Sequence, residues 1–321
     1  MANEPMNEFS LIDFIQEQVT LDDPSVILGI GDDCAIVEVP AGQQLAVSMD
    51  TLVSGIHFLD SIPPKALGYR VLAVNLSDLA AMGAAPRWVT LALTLPNLDP
   101  QWIREFTSGF LELARVHHVT LIGGDLTRGP LAATCQVQGF LPQGQGLKRS
   151  RAQQGDFVCV SGTLGAPLLG VLGLTGELLL SDTLFATVRE QFYYPMPRVE
   201  LGLQLLPWAN ACIDISDGLA ADLNHILQQS KVGAILDWKK LPVAAEVQDF
   251  FPQSQWSEFV LHSGDEYQLC FTIAESNYYR LPETVLKETT VIGKIVGDRG
   301  IWLKNEQGNV VPLEVKGYRH F

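Results

Sequence analysis

The sequence predicts an α+β protein with two domains, and three observations lead to this prediction. The chain has 321 residues, which is more than a single hydrophobic core usually holds. Short β-branched runs and helical periodicities mix without the regular alternation of a doubly wound sheet. The composition turns polar, basic and glycine-rich around Gln143–Gly155, so we place the domain boundary there and divide the chain into residues 1–148 and 149–321.

The first half contains predicted helices and strands in turn. An amphipathic stretch from Phe9 to Val19 has its apolar residues on one side and predicts a helix. Short β-branched runs predict strands in SVILGIG, CAIVEV and QLAVSMD. The segment Pro64–Gly83 is helical in period, with proline near its start and glycine at its end. A strand in WVTLALTLP, a helix from about Asp99 to His117, and strands in VTLIGG and LAATCQVQGFLP follow.

The second half opens with a predicted strand in DFVCVSG. A helix near 197–208 precedes a strand in ACIDIS, which leads into a helix from Gly218 to about Gln229. Further strands are predicted in GAILDW, YQLCFTI, TVIGKIV and GIWLK.

The composition is that of a folded globular protein, with 47% hydrophobic and 18% charged residues. The most apolar segment, Ala166–Leu180, contains glycines and Glu177 and is too short to span a bilayer, so no membrane association is expected. The formal net charge is −15 and the one basic cluster is KRSR at Lys148–Arg151. We therefore expect no nucleic-acid partner.

Two features favour a cytoplasmic location. The N-terminal segment MANEPMNEFSLIDFIQEQ is acidic and lacks the basic and apolar regions of a signal peptide. The five cysteines lie apart in apolar runs, without a C-x-x-C pair or a Cys/His cluster. This usage is typical of small buried residues in a reducing compartment.

Aspartates recur at one kind of place, directly after an apolar strand-like run and beside Gly, Ser or Thr. They are Asp32, Asp33, Asp50, Asp125, Asp214 and Asp217. Asp78 joins them on a predicted helix, three residues after Asn75 and on the same face. Converging carboxylates repel one another unless cations neutralise them, and oxygen ligands without His or Cys select hard ions. The pattern therefore predicts bound magnesium.

Each of these motifs alone has an ordinary structural explanation. GDD and GGD are common turn sequences. Asp217 or Ser216 could cap the helix that begins at Gly218, and Asp78 could be a solvated or capped helical acid. The P-loop pattern is absent, and so is a strand-preceded G-x-G-x-x-G. Metal ions and Arg149 would then have to bind phosphates, although Arg149 could equally be a surface charge in a basic linker.

Taken in order, eight motifs resemble the thiamine-monophosphate kinase family. They are GIGDDCAIV, SMDTLVSGIHF, AVNLSDLAAMGA, LIGGDLTRGP, KRSRAQQGD, DISDGLAADL, SGDEYQLCF and KGYRHF. The resemblance runs from about Phe9 to the last residue and includes the wider superfamily of aminoimidazole ribonucleotide synthetase and selenophosphate synthetase. It implies two α/β domains: an N-terminal one that binds ATP and metal and forms a homodimer through its sheet, and a C-terminal one that completes the active site.

The resemblance also implies an activity, the transfer of the terminal phosphate of ATP to thiamine monophosphate, and a set of site residues. Several magnesium ions would be held, directly or through water, by Asp33, Ser48, Asp50, Asp78, Asp125, Asp214 and Asp217. ATP would lie near Thr107, Gly124, Asp125, Arg149 and Ser216. Thiamine monophosphate would lie near His57, Asp265 and Tyr318. No dedicated catalytic residue is expected, because the accepting phosphate oxygen is already ionised.

Three of these positions carry alternatives. Thr107 stands where the family can have a tyrosine, so an aromatic contact with adenine is not expected from it. His57 could make only a structural hydrogen bond in the strand GIHF. Tyr318 could merely pack the C-terminal tail against the rest of the protein.

The sequence departs from the family pattern at one place, where Gly-Gly-Glu-Asp-Tyr is replaced by Ser263-Gly264-Asp265-Glu266-Tyr267. The hypothesis is that Asp265 keeps the substrate-facing role of the first acid and that Glu266 tolerates substitution. Rival functions are a superfamily enzyme that activates an amide or a selenium nucleophile, and an inactive nucleotide- or metal-binding regulatory module. Cys34 lacks the lysine partner expected of the selenium enzyme.

Overall fold

The computed structural model describes residues 8–19 and 23–318 and forms two compact units. The first consists of Met1–Leu79 with Ala84–Gln145, and the second of Ala80–Gly83 with Gly146–Phe321. Both combine a mostly antiparallel sheet with helices, which confirms the predicted α+β class. Among the described residues, no helix has the length and apolar character needed to cross a membrane.

The first unit is built on a four-stranded sheet with the order β3-β6-β4-β5, in which only β4 and β5 are parallel. The elements of this region are α1 (Glu8–Gln18), β1 (Val26–Leu28), β2 (Ile36–Val37), β3 (Gln43–Val53), α2 (Pro64–Met82), β4 (Ala85–Leu95), α3 (Pro100–Val116), β5 (Thr120–Arg128) and β6 (Ala132–Pro142). All of them correspond to predicted elements, because each carries a clear period or β-branched run.

Helices α2 and α3 pass very close to each other at two glycines. A β-carbon at Gly68 would lie 2.0 Å from the carbonyl oxygen of Phe106, and one at Gly109 would lie 1.9 Å from that of Lys65. Only glycine permits so short a distance between two helix backbones. This crossing fixes the position of α2, which carries Asn75 and Asp78.

Strand β3 forms one edge of this sheet, and one of its faces is apolar and exposed. Leu45, Val47 and Met49 alternate along it with exposed fractions of 41%, 54% and 58%. Ser48 and Asp50 lie on the other face, because side chains alternate along a strand.

The second unit is built on a seven-stranded sheet with the order β13-β12-β9-β11-β7-β10-β8, in which only β12 and β9 are parallel. Its elements are β7 (Phe157–Ser161), α4 (Ala166–Leu174), α5 (Asp182–Tyr193), α6 (Val199–Leu205), β8 (Ala211–Asp214), α7 (Leu219–Ser230), β9 (Gly233–Asp237), α8 (Ala245–Phe250), α9 (Trp256–Leu261), β10 (Leu269–Ile273), α10 (Glu275–Tyr278), α11 (Glu283–Glu288), β11 (Thr289–Val296), β12 (Gly300–Lys304) and β13 (Val310–Pro312). Helices α4, α5 and α8 to α11 and strand β13 were not predicted from the sequence.

The core of this unit lies between the sheet and the helices. Val158, Val160 and Ile213 of the strands pack with Leu223 and Ile226 of α7, and each of these side chains is at most 2% exposed. Burial of several such side chains holds β8 and α7 together. The packing of β8 and α7 therefore holds both ends of the segment that connects them.

Candidate active site

In the first unit, strand β3 and helix α2 bring three predicted ligands together. Ser48 Oγ donates to Asp78 Oδ2 at 2.5 Å, and the Asp50 amide donates to Asn75 Oδ1 at 3.0 Å. Asn75 is fully buried, and its amide nitrogen donates to the carbonyl oxygen of Val71. Asn75 and Asp78 lie three residues apart and contact the same strand, as their shared helical face predicted.

Asp50 and Asp78 are close enough to affect each other's ionisation. Partial burial, and after it the negative charge of Asp78, raise the pKa of Asp50 to about 6. Two carboxylates in this position are stabilised by a nearby cation, since a positive charge favours the ionised form of both. The oxygen donors of Ser48, Asp50 and Asp78 therefore fit a hard divalent ion such as magnesium.

Asp125 lies away from this group. Across the paired strands, Asp125 aligns with Ala92, Thr134 and Thr51. Asp50 aligns in the same way with Cys135, Leu91 and Gly124. Because side chains at paired positions share a face, Asp125 and Asp50 point to opposite faces. They also belong to strands β5 and β3, the two edges of the sheet.

Gly124, the other predicted ATP contact in this strand, is required by the sheet itself. A β-carbon there would lie 1.9 Å from the carbonyl oxygen of Leu91. The position next to Asp125 therefore has no room for a side chain.

The predicted location of the aspartates at strand ends is correct only in part. Asp50 lies inside β3 and Asp125 inside β5, and both strands continue for three residues beyond the aspartate. Asp33 is exposed in a turn, where its amide donates to Asp32 Oδ1 at 2.8 Å. Asp214 is the last residue of β8 and fits the prediction.

His57 and Thr107 have local structural roles. The Val53 amide donates to His57 Nδ1 at 3.0 Å, so the expected structural hydrogen bond is present. It lies in a turn, and the strand predicted for GIHF is not formed there. Thr107 is 6% exposed on the buried face of α3, which does not favour a direct contact with a nucleotide.

In the second unit, the connection between β8 and α7 carries Asp214, Ser216 and Asp217. A buried acid absent from the sequence prediction, Asp222, holds this connection. The amides of Ser216, Asp217 and Gly218 all donate to Asp222 Oδ2, at 3.0, 3.0 and 3.1 Å. Three consecutive amides pointing at one carboxylate fix the backbone of the loop.

The environment of Asp222 changes its ionisation. The side chain is 3% exposed, and burial raises its pKa to about 7, although the amide donors oppose the shift. The sequence signal for Asp222 is an acid in the first turn of helix α7. The residue before this helix has no side chain that could cap it.

The alternative that Asp217 or Ser216 caps helix α7 is not supported. The cap position is Gly218, with φ 124° and no side-chain capping hydrogen bond, and the helix begins at Leu219. The amides of Ser216, Asp217 and Gly218, which directly precede the helix, donate to Asp222. Neither Ser216 nor Asp217 is the cap of α7.

The segment 263–267, named here the acidic loop, lies directly against this connection. The Asp265 amide donates to the Ser216 carbonyl at 2.9 Å, and the Tyr267 amide donates to that of Ile215 at 2.8 Å. Asp265 is partly exposed, and Tyr267 Oη donates to Asp265 Oδ1 at 3.0 Å. Ser216 and Asp265, predicted to lie near ATP and thiamine phosphate, are thus neighbours.

Glu266 points the other way, into the interior, and the hypothesis that it tolerates substitution is not supported. Its side chain is 7% exposed, and its Oε1 accepts from the Gly165 amide at 2.6 Å. Ser263 Oγ lies 2.7 Å from the same oxygen and also bonds the Phe259 carbonyl. Burial raises the pKa of Glu266 to about 8.

Arg149 and Tyr318 complete the positions predicted in this unit. Arg149 is half-buried in a short 3₁₀ turn, and its carbonyl accepts from Ser230 Oγ of α7 at 2.7 Å. This packing does not fit a charge in a loose basic linker. Tyr318 is 51% exposed, and its amide lies 3.3 Å from the carbonyl oxygen of Asp217. The exposure of its side chain does not fit simple packing of the tail.

All five cysteines are free, and Cys135, Cys159, Cys212 and Cys270 are buried, as their apolar surroundings predicted. Cys34 is exposed, so the prediction of burial is wrong for it. Across residues 8–19 and 23–318, no three His, Cys, Asp or Glu side chains form a preassembled metal cluster. The predicted metal-binding acids that lie close together are Asp50 and Asp78 in the first unit. In the second unit they are Asp214 and Asp217, three residues apart in the chain.

Comparison with known proteins identifies the family. The chain matches AIR synthase related protein, N-terminal domain, over residues 31–141 and the C-terminal domain of the same family over residues 153–304. Thiamine-monophosphate kinase from Haemophilus influenzae is 45% identical over 297 residues, covering 90% of this chain and 89% of the relative.

Two solved structures match over nearly the whole length. Thiamine-monophosphate kinase from Stenotrophomonas maltophilia K279a has a TM-score of 0.87 at 41% identity and covers 95% of this chain and 98% of that one. AaThiL complexed with AMPPCP and TMP has a TM-score of 0.78 at 29% identity and covers 100% of both chains. The chain belongs to the thiamine-monophosphate kinase family of AIR synthase related proteins.

Proposed function

We propose that this enzyme transfers the terminal phosphoryl group of ATP to thiamine monophosphate, forming thiamine diphosphate and ADP. The observation that carries the proposal is the likeness, over the full length of both chains, to AaThiL complexed with TMP and with AMPPCP, an analogue of ATP. The oxygen donors on β3, on α2 and in the β8–α7 connection agree with a reaction between two phosphorylated molecules.

The chemistry requires positioning and charge neutralisation more than proton transfer. The accepting phosphate oxygen is ionised at neutral pH, so no side chain has to remove a proton from it. The main barrier is the repulsion between two polyanions and the charge spread over the group in transfer. We therefore assign no dedicated catalytic residue, and the side chains act by holding the two substrates in line.

Several magnesium ions fit this reaction and these side chains. When bound, magnesium neutralises phosphate charge and bridges carboxylates to phosphate oxygens. The proposed ligands are Ser48, Asp50 and Asp78 in the first unit, Asp214 and Asp217 in the second, and Asp33 and Asp125 directly or through water. Asn75 and Asp222 keep two of these ligand segments in place through the hydrogen bonds described above.

We assign the remaining polar positions to the two substrates. Gly124, Asp125, Arg149 and Ser216 are proposed to lie near ATP. Asp265, Tyr318 and His57 are proposed to lie near thiamine monophosphate, and the burial of Thr107 makes it the weakest of the ATP assignments. The Val53 amide donates to His57 Nδ1 and so fixes the orientation of the ring.

We propose that the chain is a homodimer formed through the first sheet. The apolar face of β3, with Leu45, Val47 and Met49, is exposed along an edge strand, which natural proteins usually cover or modify. Asp125 points to this same face, as its alignment with Thr51 indicates. A second copy covering the face would therefore approach Asp125.

We further propose a cytoplasmic location. Five free cysteines and an ATP-dependent reaction suit a reducing compartment that contains ATP.

A coupled ADP-release assay tests the proposed activity. ADP release should require both thiamine monophosphate and magnesium, and thiamine diphosphate should accumulate in equal amount. ADP release that depends instead on an amide or selenium acceptor would identify one of the rival superfamily reactions. Nucleotide binding without ADP release under any of these conditions would identify a regulatory module.

A further inference from the structure

The acidic loop has an unusual backbone. Asp265 and Tyr267 have φ values of 62° and 50°, in the left-handed region that side chains other than glycine rarely adopt. Glu266 lies between them. Such a conformation persists only where surrounding contacts outweigh its unfavourable energy.

The contacts on the outer side of the loop come from the backbone. The amides of Asp265 and Tyr267 bond to the carbonyl oxygens of Ser216 and Ile215. These bonds join the loop to the β8–α7 connection, but they leave the direction of the side chains undetermined. A β-carbon at Gly264 would lie 2.4 Å from the Ser216 oxygen, so the two segments are in direct contact.

The contacts on the inner side come from Glu266. Its carboxyl group reaches the Gly165 amide before helix α4 and lies beside Ser263 at the start of the loop. Gly165 has φ 108° and a β-carbon there would lie 3.0 Å from Phe259 Cβ, so this partner has little freedom to move. Glu266 therefore connects the middle of the acidic loop to the Gly165 backbone, which is held firmly in the interior.

We infer that Glu266 is a positioning residue: by holding the middle of the acidic loop inward, it makes Asp265 face outward toward the thiamine moiety. This inference rests on the proposed function. Tyr267 Oη then orients the outward carboxylate through its bond to Asp265 Oδ1. Glu266 itself is buried and acts on the substrate only through its neighbour.

The departure from the family pattern follows from the same arrangement. Ser263 and Glu266 replace the first glycine and the second acid, and their side chains are in contact at 2.7 Å. The longer acid fills the inward position together with the serine hydroxyl, while the shorter Asp265 occupies the outward one. The substitutions at positions 263 and 266 are therefore coupled, because the contact requires both Ser263 and Glu266.

The experiment measures Michaelis constants for thiamine monophosphate and for ATP, each with the other substrate saturating. The variants of the full chain are Glu266→Ala, Glu266→Gln, Asp265→Ala and the double alanine variant. Glu258→Ala, on an exposed position of α9, is the matched control. Melting temperatures are recorded for all of them.

Glu266→Ala should raise the constant for thiamine monophosphate about tenfold and leave that for ATP within about twofold. Glu266→Gln keeps a neutral acceptor for the Gly165 amide and should restore most of the loss. In the Asp265→Ala background, Glu266→Ala should add no further increase, because both changes remove one interaction.

Three results would overturn the inference while wild-type turnover stands: an unchanged constant for thiamine monophosphate in Glu266→Ala, a parallel rise in both constants, or additive effects of the two alanines. If Glu266→Ala does not fold, Ser263→Ala removes one of the two inner contacts. It should raise the same constant about threefold, and no change would again overturn the role of Glu266. A wild-type chain without turnover on thiamine monophosphate would instead overturn the proposed function, and this inference with it.

Discussion

Asp222 gives the sharpest test of how the β8–α7 connection is held. Its carboxylate accepts from three consecutive amides at 3.0 to 3.1 Å, and these amides precede helix α7. Asp222→Ala removes the acceptor of all three without removing any proposed ligand. The connection that carries Asp214 and Asp217 should then lose its fixed shape.

The magnitude follows from the surroundings of the three donors. The Ser216 and Asp217 amides are partly buried and water can replace their bonds, at a cost of about 0.5–1 kcal/mol each. The Gly218 amide is buried, and leaving it without a partner costs about 1–3 kcal/mol. Removing the buried acid also recovers part of its desolvation cost, which its raised pKa indicates. We therefore expect Asp222→Ala to lower the free energy of unfolding by about 2–3 kcal/mol.

Urea denaturation measures this loss, and Asp222→Asn is the matched control. Asparagine has the same shape and keeps an oxygen acceptor for the three amides, so it should lose less than about 1 kcal/mol. The alanine variant should also need a higher magnesium concentration for half-maximal turnover. A loss below about 1 kcal/mol in Asp222→Ala, or equal losses in both variants, would refute the assignment of the effect to these hydrogen bonds.

Three further predictions concern charge and assembly. Asp50→Asn and Asp78→Asn should each abolish turnover and leave the circular dichroism spectrum unchanged; near-normal activity at ordinary magnesium concentration would remove that residue from the ligands. Burial raises the pKa of Glu266 in the folded protein to about 8, above its ordinary value of 4.5. The stability that Glu266 contributes below pH 4.5 should therefore be lost as pH rises to about 8, and the free energy of unfolding of Glu266→Gln should rise relative to that of wild type across this range. Light scattering should give twice the 35.2 kDa chain mass for wild type and the monomer mass for Val47→Glu; a monomeric wild type at micromolar concentration would contradict the proposed dimer.

The sequence predicted the elements whose pattern repeats over several turns or strand pairs. Helix α3 has a clear apolar face that includes Ile103, Phe106 and Phe110, and Asp99 and Pro100 mark its start. Helix α4 escaped prediction for the opposite reason. Its nine residues, Ala166–Leu174, include no polar side chain, so no polar face reveals its period. Helices α8 to α11 have four to six residues each, too few to establish a period.

The ends of the strands were predicted less well than their centres. The apolar runs predict strand ends at Asp50 and Asp125, but β3 continues to Val53 and β5 to Arg128. Backbone pairing extends these strands beyond the two aspartates, because one face of the sheet tolerates polar side chains. The opposite directions of Asp50 and Asp125 follow from strand pairing, which a single sequence does not contain.

The acids of this protein fall into two groups that the sequence could not separate. Asp222 and Glu266 are buried, have raised pKa values and accept from backbone amides. Asp217 and Asp265 lie in the same motifs and are partly exposed. In each motif, therefore, one acid is buried and holds the loop, and the other is partly exposed on the same loop. Burial and hydrogen bonding distinguish Asp222 and Glu266, which hold the two segments, from Asp217 and Asp265, which we propose as contacts to magnesium and substrate.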